Sequence, residues 1–274
     1  MLRGMCIVVE DNRFSTGRST AQIDGLPVSC LAAGEVLAEL ARSIRAGETG
    51  RYICVANTES MYQGQRDPAH RDFIRGADFN ICDGVGVRIV GSAWGASVPR
   101  ITGPSFMLLA AEYGVSRGWR HFFYGGAGDV AVELARRLKQ HFPGLEVCGT
   151  YAPPFRSLTA QERVEVERLI IDSRPDIVWV GLGLPKQERW IASELGHLAV
   201  PWMIGVGAAF NYHSGAIPWA PRIIRTLGLE WLYTLILQPR QRARRYLRSL
   251  IYVVITATKG LLGARLERRP NELP

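Results

Sequence analysis

The sequence predicts an α/β protein built on a doubly wound, mainly parallel, Rossmann-like sheet, with a basic helical appendage at its C-terminus. Between residues 51 and 206, short apolar runs alternate with longer amphipathic stretches. The runs are too short for globular helices and are rich in β-branched and aromatic residues, which is typical of strands buried on both faces. A third observation, the position of the net charge, predicts the appendage.

The predicted sheet has six strands. Their sequences are YICVA (52–56), FNIC (79–82), HFFYG (121–125), EVCG (146–149), DIVWVG (176–181) and PWMIGV (201–206). The clearest helices cover 129–142 and 158–173, and the second begins with Thr159 and Glu162 at the spacing of a capping box. Ligands of such sheets bind beyond the carboxyl ends of the strands, so the residues after each run form the candidate site.

The whole net charge of +8 lies in the last 53 residues. Residues 1–221 contain 22 Lys and Arg against 22 Asp and Glu, whereas residues 222–274 contain 11 against 3. We therefore expect a core domain over 1–221 and a basic amphipathic appendage over 222–274, made of two or three helices divided at Pro239. An anionic partner is expected for the appendage: a phospholipid surface, a phosphorylated substrate or nucleic acid.

Two features predict a cytoplasmic protein without a spanning helix. Glu10 and Asp11 interrupt the N-terminal apolar run, and the longest uncharged run of the appendage, 249–258, is about half as long as a bilayer requires. The five cysteines lie far apart, so neither a zinc site nor a disulfide framework is expected. The basic appendage could still lie in the membrane interface.

Gly125, Gly126 and Gly128 lie between a predicted strand and a predicted helix, where backbone N–H groups can hold a phosphate. Their spacing is G-G-x-G, which is not the complete dinucleotide fingerprint, and the usual ribose-binding acid is missing. A tight turn without a ligand is the alternative interpretation. The pattern favours a nucleotide-type ligand.

Two further clusters follow predicted strands. Asp83 is followed by Gly84, so its carboxylate could face a substrate, although a helix N-cap is favoured by the pattern alone. The first turn of another predicted helix carries Lys186, Gln187 and Glu188. These side chains could bind a hydroxylated, phosphorylated ligand, or the segment could simply be the start of a surface helix. The sequence has no Asp-x-Asp motif, so no metal or cofactor is expected, and arginines and helix N-termini would have to balance a leaving diphosphate.

Seven motifs follow one another in a defined order. They are Asn57, CDGVGV (82–87), RITG (100–103), FYGGAG (123–128), VGLGLPKQE (180–188), GVGAAF (205–210) and GLEWLYTLILQP (228–239). Together they resemble the WecG/TagA/CpsF family of bacterial glycosyltransferases, over residues 23–247. PKQE and GLEWLY at this separation are the most specific part of the resemblance.

The resemblance implies an inverting transfer of a sugar from a UDP-sugar to a polyprenyl-diphosphate-linked saccharide, at the inner face of the membrane, in cell-surface polysaccharide synthesis. It makes Asp83 the general base that takes the proton of the acceptor hydroxyl, which suits an inverting transfer. The substrate-binding candidates are Asn57, Thr58, Gly84, Arg100, Gly125, Gly126, Gly128, Tyr151, Gly183, Lys186, Gln187, Glu188, Phe210 and Asn211. The candidates for the diphosphate and the membrane surface are Arg240, Arg242, Arg244, Arg245 and Arg248.

Five positions depart from the family pattern and cluster where donor sugar, base and diphosphate would be held. They are Val55, Ser105, Asn211, Trp219 and Thr234, where the family often has Thr, an acidic residue, Asp, Arg and Arg. Their effect on specificity or activity stays open, as do the donor sugar, the acceptor glycan, the linkage and association into homo-oligomers.

Two alternative functions remain at this point. A nicotinamide-dependent oxidoreductase is disfavoured by the incomplete fingerprint. A nucleic-acid-binding protein would use the Arg-rich segment, but aromatic and aliphatic residues are interleaved with those arginines. That mixture fits a lipid interface better than a duplex, so no nucleic-acid partner is expected.

Overall fold

The computed structural model describes residues 20–267. Glu10 and Asp11, on which the N-terminal expectation rests, lie outside this range. The strands are β1 (Thr20–Ile23), β2 (Leu26–Ser29), β3 (Arg51–Ala56), β4 (Phe79–Cys82), β5 (Arg120–Gly125), β6 (Glu146–Tyr151), β7 (Ile177–Gly181) and β8 (Trp202–Gly205). Strands β3 to β8 are the six predicted strands, and their existence is confirmed.

Twelve helices are present over the same range. They are α1 (Ala33–Arg45), α2 (Thr58–Arg66), α3 (Pro68–Gly76), α4 (Val85–Ala93), α5 (Gly103–Val115), α6 (Val130–His141), α7 (Ala160–Asp172), α8 (Lys186–Glu194), α9 (Ala209–Ser214), α10 (Arg222–Thr226), α11 (Glu230–Leu237) and α12 (Pro239–Glu267). The predicted capping box of α7 is confirmed, because Thr159 Oγ1 accepts from Glu162 N and the Glu162 carboxylate accepts from Thr159 N.

Strands β3 to β8 form one parallel sheet in the order β4-β3-β8-β7-β5-β6. The predicted fold class is therefore confirmed. Alternate residues of β3 belong to two separate apolar clusters: Cys54 packs with one and Ile53 with the other. Both faces of the sheet are thus buried, and because the strands are parallel, the loops that follow them all meet at one edge.

The sequence patterns used above do not predict the hairpin formed by β1 and β2, which pair antiparallel. Its two-residue loop is Asp24-Gly25, with φ angles of 51° and 77°. Asp-Gly is a common loop in tight hairpins because both positions adopt positive φ. The signal was present, but the flanking strands have only four residues each.

The C-terminal segment forms three helices, α10, α11 and α12, and Pro239 is the first residue of α12. The expected division at Pro239 is confirmed. Helix α12 packs on α2 and α4 through a narrow face that includes Ser249, Tyr252 and Thr256. The Trp94 indole N–H donates to the Thr256 carbonyl at 3.0 Å, which fixes the axial position of the helix. In the described part of the chain, no helix has the length and apolar character to cross a bilayer.

Candidate active site

Asp83 is the residue directly after β4, at the edge where the parallel strands end. Its backbone N–H donates to the Ala56 carbonyl at 2.9 Å, which extends the pairing of β3 with β4 by one residue. Helix α4 has Gly84 at its N-cap, with a φ of 102° and no side-chain hydrogen bond to the cap. The expectation that Asp83 caps this helix is therefore wrong. The Asp83 carboxylate instead accepts from the backbone N–H of Gly103, the first residue of α5.

The environment of Asp83 raises the pKa of its carboxyl group to about 6. Burial is the largest cause, and the negative charge of Glu230 raises the pKa further. The positive charges of Arg100 and Arg245 and the Gly103 hydrogen bond lower it. A pKa near 6 leaves the carboxylate ionised at neutral pH yet basic enough to take a proton, which suits a general base.

Arg100 lies beside Asp83 because its segment runs alongside the end of β4, where the Ile101 N–H donates to the Cys82 carbonyl at 2.8 Å. Its guanidinium group contacts one residue of α10 and one residue of α11. Nη2 forms an ion pair with Glu230, and Nη1 donates to the Arg225 carbonyl at 2.7 Å. The Arg100 Nε atom is buried and has no hydrogen-bond partner in the part of the chain that the structure describes. The appendage thus orients a cation at the predicted base.

Trp219 stands where the resembled family often has arginine, and it contacts two residues of the appendage. The indole N–H donates to the second carboxylate oxygen of Glu230 at 3.1 Å. The Arg225 guanidinium stacks on the indole, 3.7 Å from the ring centroid. Glu230 therefore has a donor on each oxygen, and the Arg225 guanidinium lies next to this group.

Gln187 and Glu188 lie in the first turn of α8, with their side chains 6% and 4% exposed. The Gln187 Nε2 atom donates to Glu188 Oε1 at 2.9 Å, while Gln187 Oε1 and Glu188 Oε2 are buried and have no partner within residues 20–267. Burial raises the pKa of Glu188 to about 7, and the hydrogen bond from Gln187 and the charge of Arg245 oppose the rise. The interpretation of this segment as a surface helix start holds only for Lys186, which is exposed.

The glycine loop after β5 has a packing explanation for two of its three glycines. A Cβ on Gly125 would lie 2.6 Å from the Gly181 carbonyl carbon, and one on Gly126 would lie 2.9 Å from the Val130 side chain. Gly126 N–H also donates to the Gly181 carbonyl at 3.1 Å. Gly128 faces open space. Close packing alone accounts for Gly125 and Gly126, so their presence is weak support for a phosphate site.

Several predicted binding residues have structural roles. Asn57 caps α2, because its Oδ1 accepts from Glu59 N and Ser60 N, both at 3.0 Å. Thr58 packs its methyl group where a Cβ on Gly86 would lie. Phe210 is 1% exposed and packs edge-on against Phe123, so its side chain has no free surface to offer a ligand. Asn57 thus has a role as a helix cap and Phe210 a role in packing, and their roles in substrate binding stay predictions.

Three other candidates retain accessible surface at the sheet edge. Tyr151 ends β6 and stacks on Tyr124 with ring centroids 5.8 Å apart. Gly183 adopts a φ of 76° in the loop before α8, and Asn211 is half-buried in α9. Their proposed roles in substrate binding stay predictions.

The five arginines of the appendage differ in their surroundings. Arg245 is half-buried and acts electrostatically on both Asp83 and Glu188, so it lies at the site. Arg248 instead forms an ion pair with the buried Glu59 at 3.0 Å, which fastens α12 to α2. Arg242 donates to Gln238 at 3.2 Å, while Arg240 and Arg244 are exposed. Residues 20–267 contain no cluster of three or more His, Cys, Asp or Glu side chains suited to a metal ion.

Sequence reasoning missed Glu230 and Arg225 as site residues. Glu230 was part of the GLEWLY motif, but nothing in its spacing shows that it pairs with a residue 130 positions earlier. Arg225 contributes through its backbone carbonyl and its stacking on Trp219, for which the sequence carries no signal.

Comparisons with known proteins cover the part of the chain that contains these motifs. Residues 21–267 match the Glycosyl transferase WecG/TagA/CpsF family. An N-acetylglucosaminyldiphosphoundecaprenol N-acetyl-beta-D-mannosaminyltransferase of Bacillus spizizenii is 33% identical over 223 residues, which are 81% of this chain and 83% of the relative. The protein of the same name in Bacillus subtilis is 28% identical over 69% of this chain and 73% of its own, and that of Staphylococcus aureus is 26% identical over 78% and 83%. The chain belongs to the WecG/TagA/CpsF family and is a glycosyltransferase.

Proposed function

We propose that this glycosyltransferase moves an N-acetylhexosaminyl group from a UDP-sugar to a polyprenyl-diphosphate-linked saccharide, with inversion and without a metal ion. The observation that carries the proposal is Asp83, a carboxylate at the carboxyl edge of the sheet that does not cap the following helix. Burial raises its pKa to about 6, and the charges of Arg100 and Arg245 act on it. The relatives named above supply the substrate class, an N-acetylmannosaminyl group and a GlcNAc-diphosphoundecaprenol acceptor.

The proposed reaction is a single displacement. Asp83 takes the proton of the acceptor hydroxyl as that oxygen bonds to the anomeric carbon. The bond between the anomeric carbon and the β-phosphate oxygen breaks, and UDP leaves with the electron pair. Attack from the face opposite the nucleotide inverts the configuration at the anomeric carbon, so an α-linked donor would give the β-linked product that the relatives' names describe.

The charge that develops on the leaving diphosphate needs cations in a partly buried site. Arg100 and Arg245 are the cations that act on Asp83. The buried Nε atoms of Arg100 and Arg225 have no partner among the described residues, which supports an anionic ligand. Lys186, exposed at the start of α8, is a third candidate. These side chains would stabilise the negative charge of the leaving diphosphate, as a metal ion does in other sugar-nucleotide enzymes.

We place the enzyme on the inner face of the membrane as a peripheral protein. The outward face of α12 carries large apolar side chains, and Leu247, Leu250, Ile251 and Val254 are each at least 50% exposed. The first turns of the same helix carry the exposed Arg240 and Arg244. An apolar stripe flanked by arginines is suited to the headgroup region of an anionic bilayer, where the lipid-linked acceptor would also reside.

Donor binding tests the proposal directly. In EDTA, a panel of UDP-sugars that includes UDP-N-acetylmannosamine is expected to raise the thermal midpoint, since a ligand at 100 times its Kd adds about 2.7 kcal/mol of stability. With a GlcNAc-diphospholipid acceptor, transfer should continue in EDTA. A folded protein that responds to no UDP-sugar would refute the donor, and an absolute need for Mn²⁺ or Mg²⁺ would refute the metal-independent mechanism.

Binding to anionic vesicles tests the membrane assignment. Each basic residue near an anionic surface contributes about 1 kcal/mol, so changing Arg240, Arg242 and Arg244 to Glu should weaken vesicle binding by about 100-fold or more. The matched control changes Arg45, Arg117 and Arg168, which are exposed arginines on the body, to Glu. Cosedimentation should separate the two variants. Equal loss in both would mean that net charge alone drives binding.

A further inference from the structure

We infer that Glu188 is a positioning residue: it orients the side-chain amide of Gln187 so that the amide oxygen accepts a hydrogen bond from the sugar nucleotide. The inference rests on the proposed function. It adds a role for Glu188 that does not require its carboxylate to contact the donor.

The two side chains form a buried pair at the carboxyl edge of the sheet. Gln187 Nε2 donates to Glu188 Oε1 at 2.9 Å. The Gln187 amide lies against the β8–α9 loop, because a Cβ on Gly205 would come within 2.9 Å of Nε2 and one on Gly207 within 3.3 Å of Oε1. Glycine at both positions leaves room for the amide, and a larger residue at either one would displace it.

The direction of the amide follows from the chemistry of its partner. An ionised carboxylate only accepts hydrogen bonds, so it must face the NH₂ group of Gln187 and not its oxygen. A rotation of the amide by half a turn would place two acceptor oxygens against each other. Glu188 therefore fixes Gln187 Oε1 on the opposite side, where it is buried and no other described residue bonds to it.

A buried acceptor without a partner is costly, and an unpaired one in a native protein calls for an explanation. Here the explanation is a ligand that brings a donor. The sugar nucleotide offers two kinds of donor: hydroxyl and acetamido N–H groups on the sugar, and the N–H of the uracil ring with the ribose hydroxyls on the nucleoside. Arg245 acts on both Glu188 and Asp83, which puts the pair close to the proposed base.

The test substitutes a neutral residue of the same shape. In Glu188→Gln, the new amide can donate as well as accept, so it no longer imposes one orientation on Gln187. At pH 8, where Glu188 is mainly ionised, calorimetry on the full chain should show about a 10-fold higher Kd for UDP-N-acetylmannosamine, the loss of roughly one hydrogen bond. UDP measured in parallel assigns the contact: loss with both ligands places it on the nucleoside, and loss with the sugar nucleotide alone places it on the sugar.

A matched control and a double variant separate positioning from packing. Glu194 lies at the other end of α8, is 2% exposed and has one oxygen, Oε2, without a partner among the described residues. Glu194→Gln therefore makes the same chemical change in a similarly buried side chain. Its Kd should equal that of the wild type. Because Glu188 acts through Gln187, adding Glu188→Gln to Gln187→Met should weaken binding no further than Gln187→Met alone.

The possible outcomes distinguish the positioning role of Glu188 from the proposed function. An unchanged Kd in Glu188→Gln, or losses that add in the double variant, would overturn the positioning role and leave the proposed function standing. A wild-type chain that binds neither UDP nor UDP-N-acetylmannosamine would overturn the proposed donor and the inference with it. Far-UV dichroism and the thermal midpoint confirm that each variant is folded.

Discussion

Asp83→Asn is expected to lower turnover by about 10²–10⁴ while leaving the affinity for UDP-sugar within a few-fold of wild type. Asparagine keeps the size of the side chain and can still accept from the Gly103 N–H, but it cannot take a proton. The loss should therefore fall on kcat, because only the transition state uses the proton transfer. Steady-state kinetics and donor calorimetry on the same preparation measure the two effects.

The pH dependence gives an independent check on the same residue. In the proposed mechanism the ionised form of Asp83 is the base, so wild-type kcat/KM should rise with pH as the carboxyl group loses its proton near pH 6. Burial destabilises the ionised form of Asp83, and this lowers the free energy of unfolding of the wild type above that pH. Asp83→Asn should therefore be at least as stable as wild type at pH 8. Asp72→Asn, the same change at an exposed position, is the control for turnover. Wild-type turnover in Asp83→Asn would leave the carboxylate without a catalytic role.

The sheet was predictable because its strands are buried on both faces. A strand such as β7 must be apolar at every position, and Ile177, Val178, Trp179 and Val180 form a run that a surface helix does not have. The parallel order of the strands then brings their C-terminal loops to one edge without further information. This is why Asp83 and Gln187, about a hundred positions apart, could both be assigned to one site from the sequence.

Roles that depend on a partner in space were not predictable. Asn57 and Asp83 both follow a strand, yet one caps a helix and the other does not, and the difference depends on the glycine at the N-cap of α4. The glycines after β5 have the spacing of a phosphate loop, but the closeness of β7 accounts for Gly125. The pairing of Glu230 with Arg100 depends on where the appendage folds back, which local patterns do not encode.

A chain that ends at Gln238 should lose at least about 100-fold in turnover, even with a water-soluble acceptor. Such a chain keeps Glu230 and therefore the orientation of Arg100, but it lacks α12 and with it Arg245, the second cation that acts on Asp83. Removing one donor that stabilises a developing anion typically costs about 10²–10³ in rate. The measurement is the initial rate with a short-chain acceptor that does not require a membrane.

Two variants of the full chain separate catalysis from anchoring. Arg245→Met keeps α12 in place and should reproduce most of the loss in rate, without exposing the surfaces of α2 and α4 that the truncation uncovers. Changing Leu250, Ile251 and Val254 to Ser alters only the outward face of α12, so vesicle binding should fall while turnover on the soluble acceptor stays at the wild-type level. If the truncated chain and Arg245→Met both keep full turnover on the soluble acceptor, α12 is an anchor only. The cations that balance the diphosphate must then be sought at Arg100 and Lys186, which the truncation leaves in place.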